Sequence, residues 1–367
     1  MFSVALWWPL LVVVWEIYFT WRLFFPQRID QVLSPRVPLD GVEVVIPAHN
    51  EAATLPKLLA SLDAQKGVNA LVTVIDDRSS DETCAIAQSL GVEVLQLHDR
   101  RGNNPKAGAL SNWIPKGTTE TVVFLDADVD LVEAHALVRL VAVARGRPND
   151  LISVQPYHRM GRWYEQFAFF PNLVSMVASG AFGAFGLGYS AATFGPVLCC
   201  QVAQYQRVGG HAVVMDSVLD DQALGQRFRG AGGHTVLFGG RGWVEFRMYA
   251  NGFGQLLEGF RKNVAKGALM VRGFGALLAT LMVVGQLSAL ATLASVGVKG
   301  LPAALVVIGL VCLVNTLVAR RIGAFHWSSV CFQLVYLPIF LWMVATSGFD
   351  LLRGMTTWKG QAMRTRR

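Results

Sequence analysis

Apolar and polar positions are unevenly spread along the chain. Phe2 to Phe25 is almost continuously apolar and carries Trp7, Trp8, Trp15 and Trp21, a length that spans a bilayer's hydrocarbon core. It lacks the basic leader and small-residue cleavage site of a signal peptide, so the expectation is a retained anchor. Glu16 lies inside it. A carboxylate at the bilayer centre costs about 2.5 kcal/mol or more, which leaves two readings open: pairing within a helix bundle, or a protonated or snorkelling side chain near the interface. Three more apolar stretches come late: Phe274 to Val298, Leu301 to Ala319 and Phe325 to Ser347. Phe167 to Cys200 is also apolar but is interrupted by Gly180, Gly183, Gly186, Gly188, Gly195, Pro171 and Pro196. It reads as a segment dipping into a membrane surface or as buried core, not as a clean span.

The middle of the chain has a different rhythm. Val42 to Ile46 is a short apolar run stopped by Pro47, as in a buried strand. Leu55 to Leu62 has helical spacing. Leu71 to Ile75 is a second strand, ended by Asp76 and Asp77. Ser79-x-x-Glu82 has the form of a capping box before a helix running to Leu90. Val92 to Leu97 and Thr121 to Leu125 complete four strands. Alternating strands and helices predict an α/β fold, a mostly parallel sheet with helices on both faces. Transmembrane helices are expected at both ends. The expected division is an anchor over 1–26, a catalytic domain with interfacial segments over 27–266, transmembrane segments over 267–349 and a basic tail over 350–367.

Composition agrees. Of 367 residues, 53% are hydrophobic and 16% charged, against about 25% charged in a soluble domain. This excludes a disordered chain. The net charge of +7 has no basic run behind it except at the C-terminus, which argues for anionic lipid or an anionic nucleotide and against nucleic acid. Five cysteines without a C-x-x-C pair suggest neither zinc nor a disulfide scaffold. Arg22, Arg28 and Arg36 after the first anchor put the middle domain in the cytoplasm. Helix parity then sends the C-terminus outside, while Arg353, Lys359, Arg364, Arg366 and Arg367 favour the inside. The conflict makes one late segment a candidate for a re-entrant or interfacial path.

In open α/β sheets, ligands bind beyond the carboxyl ends of the strands. Acidic residues gather there. Asp126 and Asp128 follow one strand and can share a divalent cation whose other positions are filled by phosphates. Asp76 and Asp77 can accept hydrogen bonds from a base or a ribose. Asp220 and Asp221 are adjacent carboxylates suited to a general base, or simply to the first turn of a helix.

The ordered segments Val44-Val45-Ile46-Pro47-Ala48-His49-Asn50-Glu51, Val74-Ile75-Asp76-Asp77-Arg78-Ser79-Ser80-Asp81, Lys106-Ala107-Gly108-Ala109-Leu110, Asp126-Ala127-Asp128 and Asp220-Asp221 resemble glycosyltransferase family 2 over residues 40 to 265. The anchor, Phe246-Arg247-Met248-Tyr249 and Glu258-Gly259-Phe260-Arg261-Lys262-Asn263 look like its membrane-bound branch, which includes carotenoid (diaponeurosporenoate-type) and ceramide glucosyltransferases. The resemblance implies a GT-A-like sheet. It implies a nucleotide-sugar site made by Pro47, Ala48, Glu51, Asp76 or Asp77, Lys106 and Asp126. It implies Mg²⁺ or Mn²⁺ on Asp126 and Asp128, and Asp221 as base, with Asp220 standing where the family has Glu. Lys262 stands where processive synthases carry Trp, which favours a single transfer over polysaccharide synthesis.

One base and no nucleophile on the opposite face imply inversion at the anomeric carbon. The expected partners are a nucleotide sugar, a UDP-hexose, and a lipid or isoprenoid-type acceptor at a bacterial cell membrane. A transporter or flippase with a nucleotide-binding domain is the competing class. His211, Arg247, Phe253, Phe260, Arg261 and Lys262 are the candidate acceptor and interface residues. At about 100° per residue, positions 253, 256, 257 and 260 share one helical face, which could rest on acyl chains or pack on the protein.

Overall fold

The computed structural model describes residues 37–178, 192–270, 274–295, 297–358 and 361–364, with isolated positions 11, 14 and 29. The anchor, Glu16 and the middle of the Phe167-to-Cys200 stretch lie outside the described residues. Two compact units are present. One comprises Pro26–Arg159 and Leu187–Met248; the other includes Met160–Gly186 and Tyr249–Arg367.

The first unit is built on strands β1 (Leu39–Ala48), β2 (Val68–Asp77), β3 (Glu93–Leu97), β4 (Thr121–Leu125), β5 (Val129–Leu131), β6 (Leu151–Gln155), β7 (Tyr157–His158), β8 (Val197–Gln201), β9 (Thr235–Gly239) and β10 (Val244–Phe246). The main sheet has the order β3-β2-β1-β4-β8-β6-β9, and a small one has the order β5-β10-β7. β1 pairs in parallel with β2 and β4, as do β2 with β3 and β6 with β9. β8 runs antiparallel to β4 and β6. The mostly parallel sheet expected from the strand–helix alternation is present.

Its helices are α1 (Leu55–Asp63), α2 (Thr83–Ser89), α3 (Pro105–Leu110), α4 (Ala136–Arg145), α5 (Val202–Arg207) and α6 (Asp220–Gly230). Side-chain alternation explains why both faces of the sheet are covered. Val44, Ile46, Val123, Leu125, Val197 and Cys199 point into one core with Leu55, Leu58 and Leu62 of α1 and Leu137, Leu140 and Val141 of α4. Val45, Val122, Phe124, Leu198 and Cys200 point into the other, with Leu110 of α3, Tyr205 of α5 and Leu224 and Phe228 of α6. Each such side chain, fully buried, contributes about 1.5–3 kcal/mol.

Of the two readings open for Phe167 to Cys200, its described ends take the buried one, a helix, Phe169–Ala178, and the core strand β8. Its apolar character there reflects burial on both faces of a sheet. Ser79 and Glu82 do not form a capping box. No side chain caps α2 from Glu82; Asp81 accepts the Thr83 N–H at 3.0 Å, and Ser79 Oγ instead accepts the Asn50 N–H at 3.0 Å.

The second unit is largely helical: Phe169–Ala178, Phe253–Met270, Phe274–Ser295, Gly297–Ile322 and Ser329–Arg353. Gly300–Ile322 and Val335–Arg353 are long and apolar enough to cross a membrane. The tail forms an antiparallel pair, Met355–Trp358 with Gln361–Arg364.

Candidate active site

Because β2, β1 and β4 are parallel neighbours, their carboxyl ends open on the same edge. Register puts Pro47 opposite Ile75 and Ala48 opposite Asp76. The turns that follow are tight. Asn50 (φ 56°) and Arg78 (φ 59°) both adopt the left-handed region, which side-chain-bearing residues other than Asn and Asp seldom enter. The two turns are laced together: Asn50 Oδ1 accepts the Ser80 N–H at 2.8 Å, and Thr83 Oγ1 accepts the Glu51 N–H at 2.8 Å. His49 Nδ1 lies 2.7 Å from the Asp77 carbonyl.

The two aspartates ending β2 differ. Asp77 is held by the neighbouring guanidinium, with Arg78 Nε donating to Oδ1 at 2.9 Å. Asp76 is 4% exposed, and its Oδ1 is buried without a hydrogen-bond partner. An orphaned buried acceptor is costly unless a ligand donor fills it.

Beyond β4, Asp126 is ion-paired through Oδ1 with Lys106 Nζ. Lys106 comes from α3 and also donates to the Gly195 carbonyl at 2.9 Å. The Gly195 N–H donates to Asp221 Oδ2 at 3.0 Å, and the Gln222 N–H to Asp221 Oδ1 at 2.8 Å. Asp220, at the start of α6, accepts from Asn104 Nδ2 at 2.8 Å. Thus the Lys-Ala-Gly, Asp-x-Asp and Asp-Asp segments, far apart in sequence, meet around Gly195.

Charge explains the electrostatics. Burial works against the Lys106 ammonium, but Asp126, Asp220 and Asp221 outweigh it and raise its pKa. Burial also raises the Asp126 carboxyl; Lys106 lowers it, and Asp220 and Glu51 raise it further, so it ends above the usual carboxylate range. One ammonium is too little for these carboxylates. Asp126 and Asp128, just beyond β4, are the residues that could hold a divalent cation. Among the described residues no group of three or more His, Cys, Asp or Glu could hold a metal.

Of the six acceptor-side candidates, His211, Phe260 and Arg261 are engaged inside the protein. His211 is 1% exposed. Its ring lies 4.8 Å from that of Phe124, and its Nδ1 lies 2.8 Å from the Tyr205 hydroxyl. It is core beneath the acidic pair, and burial lowers its pKa to about 4. Phe260 is 5% exposed with its ring 5.3 Å from Tyr249, and Leu256 is fully buried. Leu256 and Phe260 of the apolar helical face therefore pack inside the helical unit. Arg261 donates to Asp350 Oδ1 at 2.6 Å, a structural tie between two helices. Phe253 is half-buried, its ring 5.3 Å from that of Phe167. Lys262 is half-buried in the same helical unit. Arg247 belongs to the sheet unit, its N–H 3.3 Å from the Asp128 carbonyl. Sequence reasoning missed Gly195 and Asn104. Gly195 was visible only as one of several glycines; Asn104, before Pro105, carried the signal of a helix N-cap.

Parts of the chain are similar to known proteins. Residues 43–170 match the model of Glycosyl transferase family 2. The 4,4'-diaponeurosporenoate glycosyltransferase of Staphylococcus haemolyticus is 34% identical over 67% of this chain and 66% of its own length. That of Staphylococcus aureus (strain MRSA252) is 32% identical over 62% of each. The matched part thus falls just short of two thirds of either relative's length. The mannosyltransferase PcManGT of Pyrobaculum calidifontis, solved with GDP-Man and Mn²⁺, shares the fold: TM-score 0.50 and 15% identity, covering 95% of this chain and 99% of that one. Residues 43–170, with Asp76, Asp77, Asp126 and Asp128, therefore carry a domain of glycosyltransferase family 2.

Proposed function

We propose that this chain transfers a sugar from a nucleotide sugar, a UDP-hexose, to a lipid-type acceptor at a membrane surface, with inversion and with a divalent cation. The observation that carries the reading is the junction at Gly195. Lys106, paired with Asp126, is held by the carbonyl of one residue whose N–H holds Asp221. A donor diphosphate and an acceptor nucleophile need that juxtaposition of cationic and basic groups.

The roles follow from the local chemistry. Asp76 Oδ1 accepts a hydrogen bond from the base or ribose, with Pro47, Ala48 and Glu51 walling the same pocket, while Asp77 is occupied by Arg78. Lys106 steers the diphosphate by charge. A divalent cation on Asp126 and Asp128 would offset charge developing on the departing diphosphate. Asp221 takes the proton of the attacking hydroxyl, and Asp220 supports it.

The lipid acceptor is supported by the relatives' name, by Gly300–Ile322 and Val335–Arg353, and by residues 273–349, where Lys299, Arg320 and Arg321 are the only charged residues of the sequence. The name diaponeurosporenoate denotes a carboxylate. A carboxylate acceptor reaches the site already ionised, so it asks less of the base than a hydroxyl does. An integral protein of a bacterial cell membrane, its sheet unit facing the cytoplasm, agrees with Arg320 and Arg321 closing the first of these helices. The reading is tested by transfer of label from UDP-sugars to lipid with and without chelator.

A further inference from the structure

Asn104 stands outside every motif read from the sequence. It is 1% exposed and caps α3, with Oδ1 accepting the Ala107 N–H at 3.2 Å. The amide faces the other way. Nδ2 lies 2.8 Å from Asp220 Oδ1, 2.9 Å from the Ser217 carbonyl and 3.3 Å from the Val218 carbonyl. The orientation of the amide follows from its neighbours: a backbone N–H on one side, only acceptors on the other. The same two chain segments are pinned by the Asn104 N–H on the Met215 carbonyl at 2.7 Å and the Asn103 N–H on Asp216 Oδ1 at 3.0 Å.

Capping uses only Oδ1, and Asp or Ser caps a helix about as well as Asn. The amide donor is surplus to that task. It is aimed at the acidic pair from the helix that bears Lys106 two residues later. We propose that Asn104 is a positioning residue: its amide orients the Asp220 carboxylate, and so sets the first turn of α6, from which Asp221 projects, against Lys106. The inference rests on the transfer reading above.

Asn104→Asp separates the two jobs. It keeps the cap and places a carboxylate against Asp220. Positioning predicts a folded protein whose kcat falls about 30-fold or more while KM for the nucleotide sugar stays within about twofold. It also predicts that Asn104→Ser, which keeps the cap and adds no charge, is less damaging. In an Asp220→Asn background the Asn104→Asp penalty should shrink to about twofold, because the pair is coupled. A capping role alone predicts wild-type turnover in Asn104→Asp, or a penalty of equal size in both backgrounds; either overturns the inference. If Asn104→Asp fails to fold, the same cycle with Asn104→Ser decides: a penalty of equal size in both backgrounds overturns it. A wild-type chain that turns over no nucleotide sugar overturns the transfer reading and this role with it, whereas an active wild type with an indifferent Asn104→Asp overturns only the role of Asn104.

Discussion

The Gly195 N–H donates to Asp221 Oδ2 at 3.0 Å, so the backbone leading into β8 fixes the carboxylate at the start of α6. The same glycine's carbonyl takes the Lys106 ammonium at 2.9 Å. A Cβ added there would lie 3.2 Å from Asp221 Cβ and 3.2 Å from Lys106 Nζ. No other residue type fits without moving one of them. Gly195→Ala should therefore fold, yet lose about tenfold or more in kcat, since displacements of an ångström or less at a reacting centre are expensive. Steady-state kinetics beside a thermal melt checks this; unimpaired turnover would mean that the junction is not where the chemistry happens.

Asp221→Asn keeps the shape and removes the basic oxygen. With a hydroxyl acceptor, turnover should fall by about 10² or more while the nucleotide sugar still binds. With a carboxylate acceptor the loss should be clearly smaller, because no proton has to be removed. Comparing the two acceptors on one variant reads the base directly. If Asp220→Asn is the more damaging change with the hydroxyl acceptor, the roles of the pair are exchanged.

His211 is buried and neutral, its pKa lowered to about 4 from 6.5. The unfolded chain binds the proton more readily than the folded one between those values. The stabilisation is therefore whole above about pH 6.5 and is lost as pH falls toward 4, by up to about 3 kcal/mol. His211→Gln, which keeps an acceptor for the Tyr205 hydroxyl, should flatten the fall of the melting temperature across that window. An unchanged slope would show that His211 does not govern it.

Much of the sheet unit was legible because its signals are local. Val42 to Ile46 and Thr121 to Leu125 are apolar runs ended by proline or aspartate, and they fall within β1 and on β4. The acidic strand ends were found for the same reason. The junction itself was not legible. Asn104 and Gly195 act through contacts with residues 26 to 116 positions away, and no sequence period records those. His211 and Phe260 misled in the opposite way. A histidine beside two glycines and an apolar helical face look the same in sequence whether they meet a ligand or the core; only the rings of Phe124 and Tyr249 against them decide.

Phe260 follows from that correction. Phe260→Ser empties a packed position against Tyr249 and should destabilise the helical unit by about 3–5 kcal/mol. Hydrolysis of the nucleotide sugar and transfer to lipid should then fall together, in step with the loss of folded protein seen by thermal unfolding. A selective loss of lipid transfer in a fully folded variant would return Phe260 to the acceptor site.

Transfer of a sugar to lipid by the aspartates at the strand ends is open to direct measurement. Membranes carrying the full chain, incubated with labelled UDP-glucose and Mg²⁺ or Mn²⁺, should yield labelled lipid that mass spectrometry identifies as a hexosylated species. EDTA should stop the labelling, and Asp128→Ala should lower it by at least about 10² while the protein remains folded. Lipid labelling that persists at full rate in Asp128→Ala and in excess chelator, or label that never leaves the nucleotide sugar with any UDP-hexose, would contradict the account.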